Sequence, residues 1–267
     1  MQAKHALLEA HTLYPELALS EIKSLLCLAL SKDRAWLIAH SDDELPTLGA
    51  FNELLQRRQQ GEPMAYLRGA QEFYGRDFVV SPAVLIPRPE TEHLIDIALG
   101  LLTPNTRVLD LCTGSGIVPI TLAKEYPQAH YFASDISASA LHIASLNAQT
   151  LGATVTFSCQ DLLAQTTGKY GLITCNPPYL SGYDPHLGAL HFEPRLALSD
   201  EADGLSFYRR LAQEAYAFLH PHGHLLIEHG HDQAEAVRHI FNTSHWAPSQ
   251  AYVDLAGHRR GMLIKRA

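Results

Sequence analysis

The chain has 267 residues, of which 46% are hydrophobic and 18% are charged, and its formal net charge at pH 7 is −8. These values are typical of a folded protein with one large domain or with a large and a small one. Lysine and arginine form no cluster beyond pairs such as Arg57-Arg58 and Arg259-Arg260, which argues against a protein that grips nucleic acid backbones. We therefore expect no direct nucleic acid partner.

The sequence also predicts a cytoplasmic protein without membrane association. No apolar run approaches the length of about 20 residues that a bilayer span requires. The first residues lack the charged head, apolar middle and small-residue cleavage site of a signal peptide. The cysteines, Cys27, Cys112, Cys159 and Cys175, form no CxxC pair and are expected to be reduced. We expect the protein to be a monomer.

Residues 1–65 are predicted to form a small all-helical domain. Apolar residues recur there at spacings of three to four, as at Ile22, Leu25, Leu26 and Leu30. Gly61-Glu62-Pro63 then ends the helical pattern. Residues 66–88 are predicted to form a β-hairpin or linker, because aromatic and β-branched side chains surround glycines and a proline.

Residues 89–267 are predicted to form an α/β domain with a mostly parallel, doubly wound, Rossmann-like sheet. Strand-like runs occur at 107–111, 130–134, 154–158, 170–175 and 224–228. Helical patterns lie between them at 117–126, 138–151, 206–219 and 232–241. The last two apolar runs, 250–255 and 261–265, have no helix between them, so they should add antiparallel strands at the carboxyl terminus.

A glycine-rich loop follows the first predicted strand of this domain. It reads Asp110-Leu111-Cys112-Thr113-Gly114-Ser115-Gly116 and leads directly into a helical pattern. A strand, a glycine turn and a helix bring backbone N–H groups close to a ligand, although a glycine turn alone can be only a tight turn. The loop lacks the third glycine of the dinucleotide fingerprint.

Acidic residues close the next two predicted strands. Asp135 follows the glycine turn by roughly 20 residues, the position from which an acid can bond a ribose diol. Ser137 is itself a competent helix cap, which frees Asp135 for a ligand. Asp161, at the end of the third strand, could be no more than a helix cap.

The tetrapeptide Asn176-Pro177-Pro178-Tyr179 ends the apolar run at 170–175, so it lies at the sheet edge where open α/β sheets bind ligands. The prolines cannot donate backbone hydrogen bonds and keep the segment extended. The Asn176 side-chain oxygen and the Pro177 carbonyl can therefore accept both hydrogens of a planar NH2 group, while Tyr179 offers a ring face. A simple turn after a strand also uses Asn and Pro, so the tetrapeptide alone leaves both interpretations open.

Together, the loop, Asp135 and the tetrapeptide resemble a class I S-adenosylmethionine-dependent methyltransferase that acts on planar NH2 groups. Amino-methylating DNA enzymes and protein glutamine methyltransferases share this set. The helical front domain, the run at 72–92 and His191-Phe192-Glu193-Pro194 resemble the second group. Within it they are most similar to the HemK/PrmC family of peptide chain release factor N5-glutamine methyltransferases. That family usually has glycine where this chain has Cys112, and cysteine there is more like ribosomal protein glutamine methyltransferases, which remain the alternative.

The resemblance implies S-adenosyl-L-methionine as cofactor and a release factor as protein partner, methylated on the glutamine of its Gly-Gly-Gln motif. It implies that residues 1–65, the helical domain, recognise the protein substrate. It implies catalytic roles for Asn176, Pro177 and Tyr179, with Pro178 also binding substrate. The implied cofactor-binding residues are Cys112, Thr113, Gly114, Ser115, Gly116, Asp135, Leu162 and Asn176.

The resemblance also draws attention to the bridge, whose Phe73, Phe78, Pro87, Arg88 and Glu90 could wall the glutamine pocket. They could equally form a plain packing layer between domains, with Arg88 and Glu90 paired to one another.

Three alternatives are weighed against this interpretation. The histidines at 220, 222, 224, 229 and 231 invite a metal site, but they lack the helical i, i+4 spacing and a completing cysteine or carboxylate, so we expect no metal. A DNA adenine methyltransferase could flip its base into the same grip, but it predicts a basic face. A cofactor-binding protein without catalysis would not require the intact tetrapeptide.

Overall fold

The computed structural model describes residues 1–254 and 257–267. The chain forms two compact units, Met1–Gly69 and Ala70–Ala267. Among the described residues, every helix is too short or too polar to span a bilayer.

The first unit consists of helices, which confirms the predicted helical region. Its helices are α1 (Ala3–Leu13), α2 (Leu19–Leu30), α3 (Arg34–Ala39), α4 (Gly49–Gln59) and α5 (Met64–Arg68). The apolar residues that recur in the sequence pack into one core, in which Ile22, Leu25 and Leu26 of α2 meet Phe51 and Leu55 of α4. All five are almost completely buried, so packing of the apolar helix faces holds this unit together.

The second unit begins with a hairpin of β1 (Ala70–Phe73) and β2 (Arg76–Val79), paired antiparallel. Phe73 and Phe78 are 1% and 0% exposed and belong to a core cluster with Leu94 and Ile95. The suggestion that these two rings wall a substrate pocket is therefore wrong. They anchor the hairpin to the body of the second unit.

The main sheet has seven strands in the order β5-β4-β3-β6-β7-β9-β8. The first five are parallel to one another, and β9 pairs antiparallel with both β7 and β8. This confirms the predicted doubly wound sheet and its antiparallel carboxyl-terminal strand. The strands are β3 (Arg107–Leu111), β4 (His130–Asp135), β5 (Val155–Cys159), β6 (Tyr170–Cys175), β7 (Leu219–Glu228), β8 (Gln250–Val253) and β9 (Arg259–Lys265).

Helices cover both faces of this sheet. The helices of the second unit are α6 (Glu92–Leu99), α7 (Ile117–Glu125), α8 (Ala138–Leu151), α9 (Arg195–Leu198), α10 (Ser206–Glu214) and α11 (Ala234–Ile240). Residues of α6, α7 and α8 belong to one core cluster, whereas residues of α10 and α11 belong to the other. Each face of the sheet is therefore buried, as its almost continuously apolar strands require.

Element boundaries differ from the predicted ones at a few places. Helix α10 ends at Glu214 and continues as a 3-10 turn, Ala215–Phe218, so the predicted helix to 219 is too long. Strand β7 begins at Leu219 rather than 224. The predicted run 250–255 forms a strand to Val253, and its last residue, 255, lies outside the described residues.

A buried asparagine joins the hairpin to the rest of the second unit. Asn147 of α8 is 1% exposed. Its Oδ1 accepts from the Val79 N–H at 2.7 Å, and its Nδ2 donates to the Val79 carbonyl at 3.0 Å and to the Ser115 carbonyl at 2.9 Å. One side chain thus pairs three backbone groups, two on β2 and one in the glycine loop.

We predict that Asn147→Leu destabilises the protein, because one buried and two part-buried backbone groups lose their partner, at a cost of up to about 1–3 kcal/mol each. The free energy of unfolding from urea titration should fall by roughly 2–5 kcal/mol, less than the sum because the groups can relax toward water. Gln149→Leu on the exposed face of the same helix is the control and should change stability by less than about 0.5 kcal/mol. An Asn147→Leu variant as stable as the control would contradict the anchoring role.

Candidate active site

The predicted site residues meet because three parallel strands end at one edge of the sheet. Leu111 of β3 lies opposite Ser134 of β4 and Cys175 of β6. The next residues along each strand are Cys112, Asp135 and Asn176. Strand order reverses around β3, so this edge is the switch point at which open α/β sheets bind ligands.

Two adjoining cavities open at this edge. We call the first the loop cavity, and its walls include Cys112, Thr113, Gly114, Ser115, Asp135, Leu162, Asn176 and Pro178. We call the second the tetrapeptide cavity, and its walls include Arg88, Asn176, Pro177, Tyr179, Glu228 and Arg260. Asn176 and Arg88 line both cavities. Asn176 could therefore contact a ligand bound in either cavity.

Alternate residues of the glycine loop have a left-handed backbone conformation. Gly114 has φ +55° and Gly116 has φ +81°. A Cβ on Gly116 would lie 2.8 Å from Ile120 Cδ1 and 3.1 Å from Ala144 Cβ, so only glycine fits where α7 packs on α8. Gly116 is not in the cavity wall. Its contribution is the turn that presents Thr113, Gly114 and Ser115 to the cavity.

Two residues other than glycine on the cavity wall have positive φ: Cys112 at +56° and Leu162 at +45°. Backbone strain of this kind costs of order 1–3 kcal/mol per residue and tends to collect at functional sites. Glycine adopts this backbone conformation without strain, whereas the Cβ of Cys112 makes it unfavourable. Its thiol lies against Cys175, and burial, followed by contact with Cys112, raises the pKa of the Cys175 thiol.

Asp135 is held by backbone donors at the end of β4. Its Oδ2 accepts from Gly114 N and its Oδ1 from Ser137 N, each at 2.9 Å. Burial raises the pKa of this carboxyl, while the two backbone hydrogen bonds act in the opposite direction. Ser137 does cap α8, its Oγ accepting from Ala140 N at 3.2 Å. Each Asp135 oxygen keeps a further lone pair, so the carboxylate can still accept from a diol.

Asp161 does not cap a helix, contrary to one interpretation of the sequence. The residues after it form turns, and its carboxylate pairs with Arg210 at 2.9 Å. Its neighbour Leu162 lies in the loop-cavity wall.

The tetrapeptide is fixed through its backbone. The Tyr179 carbonyl accepts from Gln233 Nε2 at 2.8 Å, and the same nitrogen donates to the Gly204 carbonyl at 3.1 Å. Gln233 Oε1 in turn accepts from Gly230 N at 3.0 Å. Within residues 1–254 and 257–267, no hydrogen bond reaches the Asn176 side-chain oxygen or the Pro177 carbonyl. Both acceptors face this edge without a protein donor.

The structure adds buried acids that the sequence analysis did not single out. Asp110 is 2% exposed and accepts from Thr174 Oγ1 at 2.6 Å, and burial raises its pKa to about 7. Glu193 is 6% exposed and accepts from Ile86 N at 2.9 Å and from Arg88. Asp110 could have been found from the sequence, because it is an acidic residue among the apolar residues of strand β3. Nothing local marked the partners of Glu193, which lie more than 100 positions earlier in the chain.

The bridge residues Pro87 and Arg88 do line the cavities. The suggested pairing of Arg88 with Glu90 is wrong, because Arg88 pairs with Glu193, and Glu90 lies 3.7 Å from Arg260. Of the histidines, His229 is fully buried with Nδ1 against the Gly230 carbonyl, and His231 lines the tetrapeptide cavity. Across the described residues, no group of three or more metal-binding side chains comes together.

Comparison with known proteins identifies the class of this site. Residues 93–191 match the Methyltransferase small domain, and residues 1–69 match the PrmC N-terminal domain. A methyltransferase structure from Pyrococcus furiosus superposes with a TM-score of 0.56 at 16% identity, covering 80% of this chain and 98% of the other. The fold and the sheet-edge site are those of a Rossmann-like methyltransferase.

Curated relatives narrow the class. A release factor glutamine methyltransferase of Neisseria gonorrhoeae is 45% identical over 252 residues, which are 92% of each chain. A Bordetella pertussis protein of the same name is 46% identical over 241 residues, covering 86% of this chain and 88% of the other. This chain belongs to the release factor glutamine methyltransferase family.

The cofactor of this enzyme is S-adenosylmethionine, and the loop cavity fits it. The cavity combines the Asp135 carboxylate, which is able to accept from hydroxyl groups such as those of a ribose, with apolar walls such as Ile136 and Leu162. The buried Asp110 in its wall, when ionised, complements a positively charged sulfonium.

We predict that Asp135→Asn weakens cofactor binding, because a charged acceptor with two backbone bonds becomes a neutral amide with a single acceptor oxygen. Hydrogen bonds to charged groups contribute about 1.5–3 kcal/mol, so the dissociation constant for S-adenosylhomocysteine should rise roughly 10- to 100-fold in titration calorimetry. Asp43→Asn, an exposed site in the first unit, is the control. If the Asp135 variant binds S-adenosylhomocysteine with unchanged affinity, Asp135 does not contribute to cofactor binding.

Proposed function

We propose that this chain transfers the methyl group of S-adenosylmethionine to the side-chain amide nitrogen of the glutamine in the Gly-Gly-Gln motif of a peptide chain release factor, in support of translation termination. The observation that carries the proposal is Asn176 standing between the loop cavity and the tetrapeptide cavity. The names of the relatives at 45% and 46% identity support the same substrate.

The chemical problem lies with the nitrogen. A carboxamide nitrogen is a poor nucleophile, because its lone pair is delocalised into the carbonyl. The cofactor's sulfonium supplies a methyl group that is already electrophilic. The protein therefore has to hold the amide nitrogen in line with the methyl group and favour the positive charge that develops on it.

Asn176 Oδ1 and the Pro177 carbonyl are suited to that task. Neither acceptor has a hydrogen-bond donor among the residues that the structure describes, so both can take the hydrogens of a substrate NH2 group. Accepting both hydrogens fixes the amide plane and raises electron density on the nitrogen as it becomes positive. The prolines hold this segment extended and contribute no N–H that would repel the substrate.

Tyr179 completes the proposed grip with its ring. Gln233 donates a hydrogen bond to the Tyr179 carbonyl and fixes the backbone there. Tyr179 lines the tetrapeptide cavity. Burial, together with the nearby Glu228 carboxyl, raises the pKa of the Tyr179 hydroxyl, so the side chain stays neutral. No strong base is needed before transfer, since the nitrogen becomes acidic once its new bond forms.

The helical unit is proposed as the region that recognises the protein substrate, within the predicted boundaries 1–65. Support comes from the match of residues 1–69 to the PrmC N-terminal domain. The predicted hairpin segment, 66–88, and the methyltransferase segment, 89–267, complete the proposed organisation. A cytoplasmic location, a monomeric state and the absence of a nucleic acid partner stay predictions.

We predict that Asn176→Ala lowers the rate of methyl transfer by about 100- to 1000-fold, the range for loss of one preorganised transition-state contact. Cofactor affinity should fall much less, since Asp135 and the loop remain. The measurements are single-turnover transfer from labelled cofactor and calorimetry with S-adenosylhomocysteine. Asn242→Ala, at an exposed position far along the chain, is the matched control. Near-normal turnover by the Asn176 variant would refute its role.

The substrate itself is tested by offering a release factor, a ribosomal protein and duplex DNA separately with labelled cofactor. Label should enter the release factor alone, on the glutamine of its Gly-Gly-Gln motif. A release factor with that glutamine replaced by alanine should stay unlabelled. Label on the ribosomal protein or on DNA, or no label on any of the three, would overturn the proposed function.

A further inference from the structure

A buried pair of hydrogen-bonded side chains contacts the amide of Asn176. It consists of Thr91, just before α6, and Glu228, the last residue of β7, which are 1% and 3% exposed. Thr91 Oγ1 donates to Glu228 Oε2 at 2.8 Å. Asn176 Nδ2 donates to Thr91 Oγ1 at 3.4 Å. Thr91 lines the loop cavity and Glu228 the tetrapeptide cavity, but neither is among the groups proposed to grip the substrate amide.

The direction of these hydrogen bonds follows from the charge of Glu228. An ionised carboxylate can only accept, so the single hydrogen of the Thr91 hydroxyl is used toward Glu228. The oxygen of Thr91 can then only accept from its other neighbour. The Asn176 amide must therefore turn its NH2 end to Thr91, which leaves Oδ1 pointing away from that residue.

We propose that Glu228 and Thr91 are positioning residues that fix the orientation of the Asn176 amide, so that Oδ1 rather than Nδ2 meets the NH2 group of the substrate glutamine. This inference rests on the proposed function. The opposite orientation would place the Asn176 NH2 group against the substrate NH2 group, two donors facing each other. An asparagine amide has nearly the same shape in both orientations, so the choice has to come from its hydrogen-bond partners.

The surroundings of Glu228 make this orientation dependent on pH. Burial raises the pKa of Glu228 to about 7, while the Thr91 hydroxyl, Arg260 and the Asn176 amide favour its ionised form and Glu90 disfavours it. The other titratable groups facing it are Tyr179, Tyr208 and Tyr252, whose pKa values burial raises, so they stay neutral near pH 7. Below about pH 7 the protonated carboxyl can donate to Thr91, which can then donate to Asn176 and permit the reversed amide. Turnover should therefore fall as pH is lowered through this range.

The first test replaces the hydroxyl of Thr91. Thr91→Val keeps the shape but removes the hydroxyl, and kcat for release factor methylation should drop about tenfold or more, the effect of losing one hydrogen bond of about 1.4 kcal/mol. Thr91→Ser restores the hydroxyl and should recover most of the rate lost in the valine variant. Thr91 lines the loop cavity, but Glu228 and Asn176 already engage its hydroxyl. The dissociation constant for S-adenosylhomocysteine should therefore move by less than about threefold in both variants.

The second test replaces the titratable carboxyl of Glu228 with an amide that does not titrate. A glutamine at position 228 cannot change charge. The fall in kcat at low pH that is expected of the wild-type enzyme should therefore be absent or strongly reduced in Glu228→Gln. Asp110, which has a raised pKa of its own, is unchanged in this variant, so the comparison isolates Glu228. This measurement stands even where Thr91→Val folds poorly.

The outcomes separate the two proposals. If wild-type enzyme labels no release factor, the proposed function fails. If wild type is active and Thr91→Val is equally active, or Glu228→Gln keeps the full acid limb, the positioning role is overturned. A valine variant whose lost rate is matched by lost cofactor affinity and is not restored by Thr91→Ser would show a merely structural role and would also overturn it.

Discussion

The parallel pairing of β3 with β4 and β6 is the constraint on which the site depends. Because Leu111 lies opposite both Ser134 and Cys175, the residues that follow these strands begin at the same height on the sheet. Gly114 and Asp135 then come close enough to share a hydrogen bond of 2.9 Å. A shift of one residue in either pairing would turn the side chains of that strand to the opposite face and separate loop, acid and tetrapeptide.

Much of this arrangement could be predicted from the sequence because its signals are local. The apolar run at 170–175 ends at Asn176, and the strand has the same bounds in the structure. Asp135 ends β4 and Ser137 caps the next helix, so short-range rules of capping and strand ends were sufficient. The alternation of strands and helices then fixed which edge these residues share.

The remaining parts of the site depend on long-range pairs that leave no local trace. Thr91 and Glu228 are separated by 137 positions, and Arg88 and Glu193 by 105. The bridge shows the same limit. A pairing of Arg88 with Glu90 was one of two alternatives, but both residues pair with partners from distant segments. Phe73 and Phe78 also looked like pocket residues, since aromatic character alone does not distinguish a pocket wall from a core.

The buried acids link the chemistry of the site to the stability of the fold. Asp110 and Glu228 both have pKa values raised to about 7 by burial, so the folded state holds protons that the unfolded chain would release near pH 4. Folding stability from these two groups is therefore greatest at low pH and falls as pH rises toward about 7. The same burial leaves ionised carboxylates poorly solvated and close to the cavities, where a cationic sulfonium and a nitrogen gaining positive charge would be attracted. The features that disfavour the folded state near neutral pH are thus the ones that suit this edge of the sheet to methyl transfer.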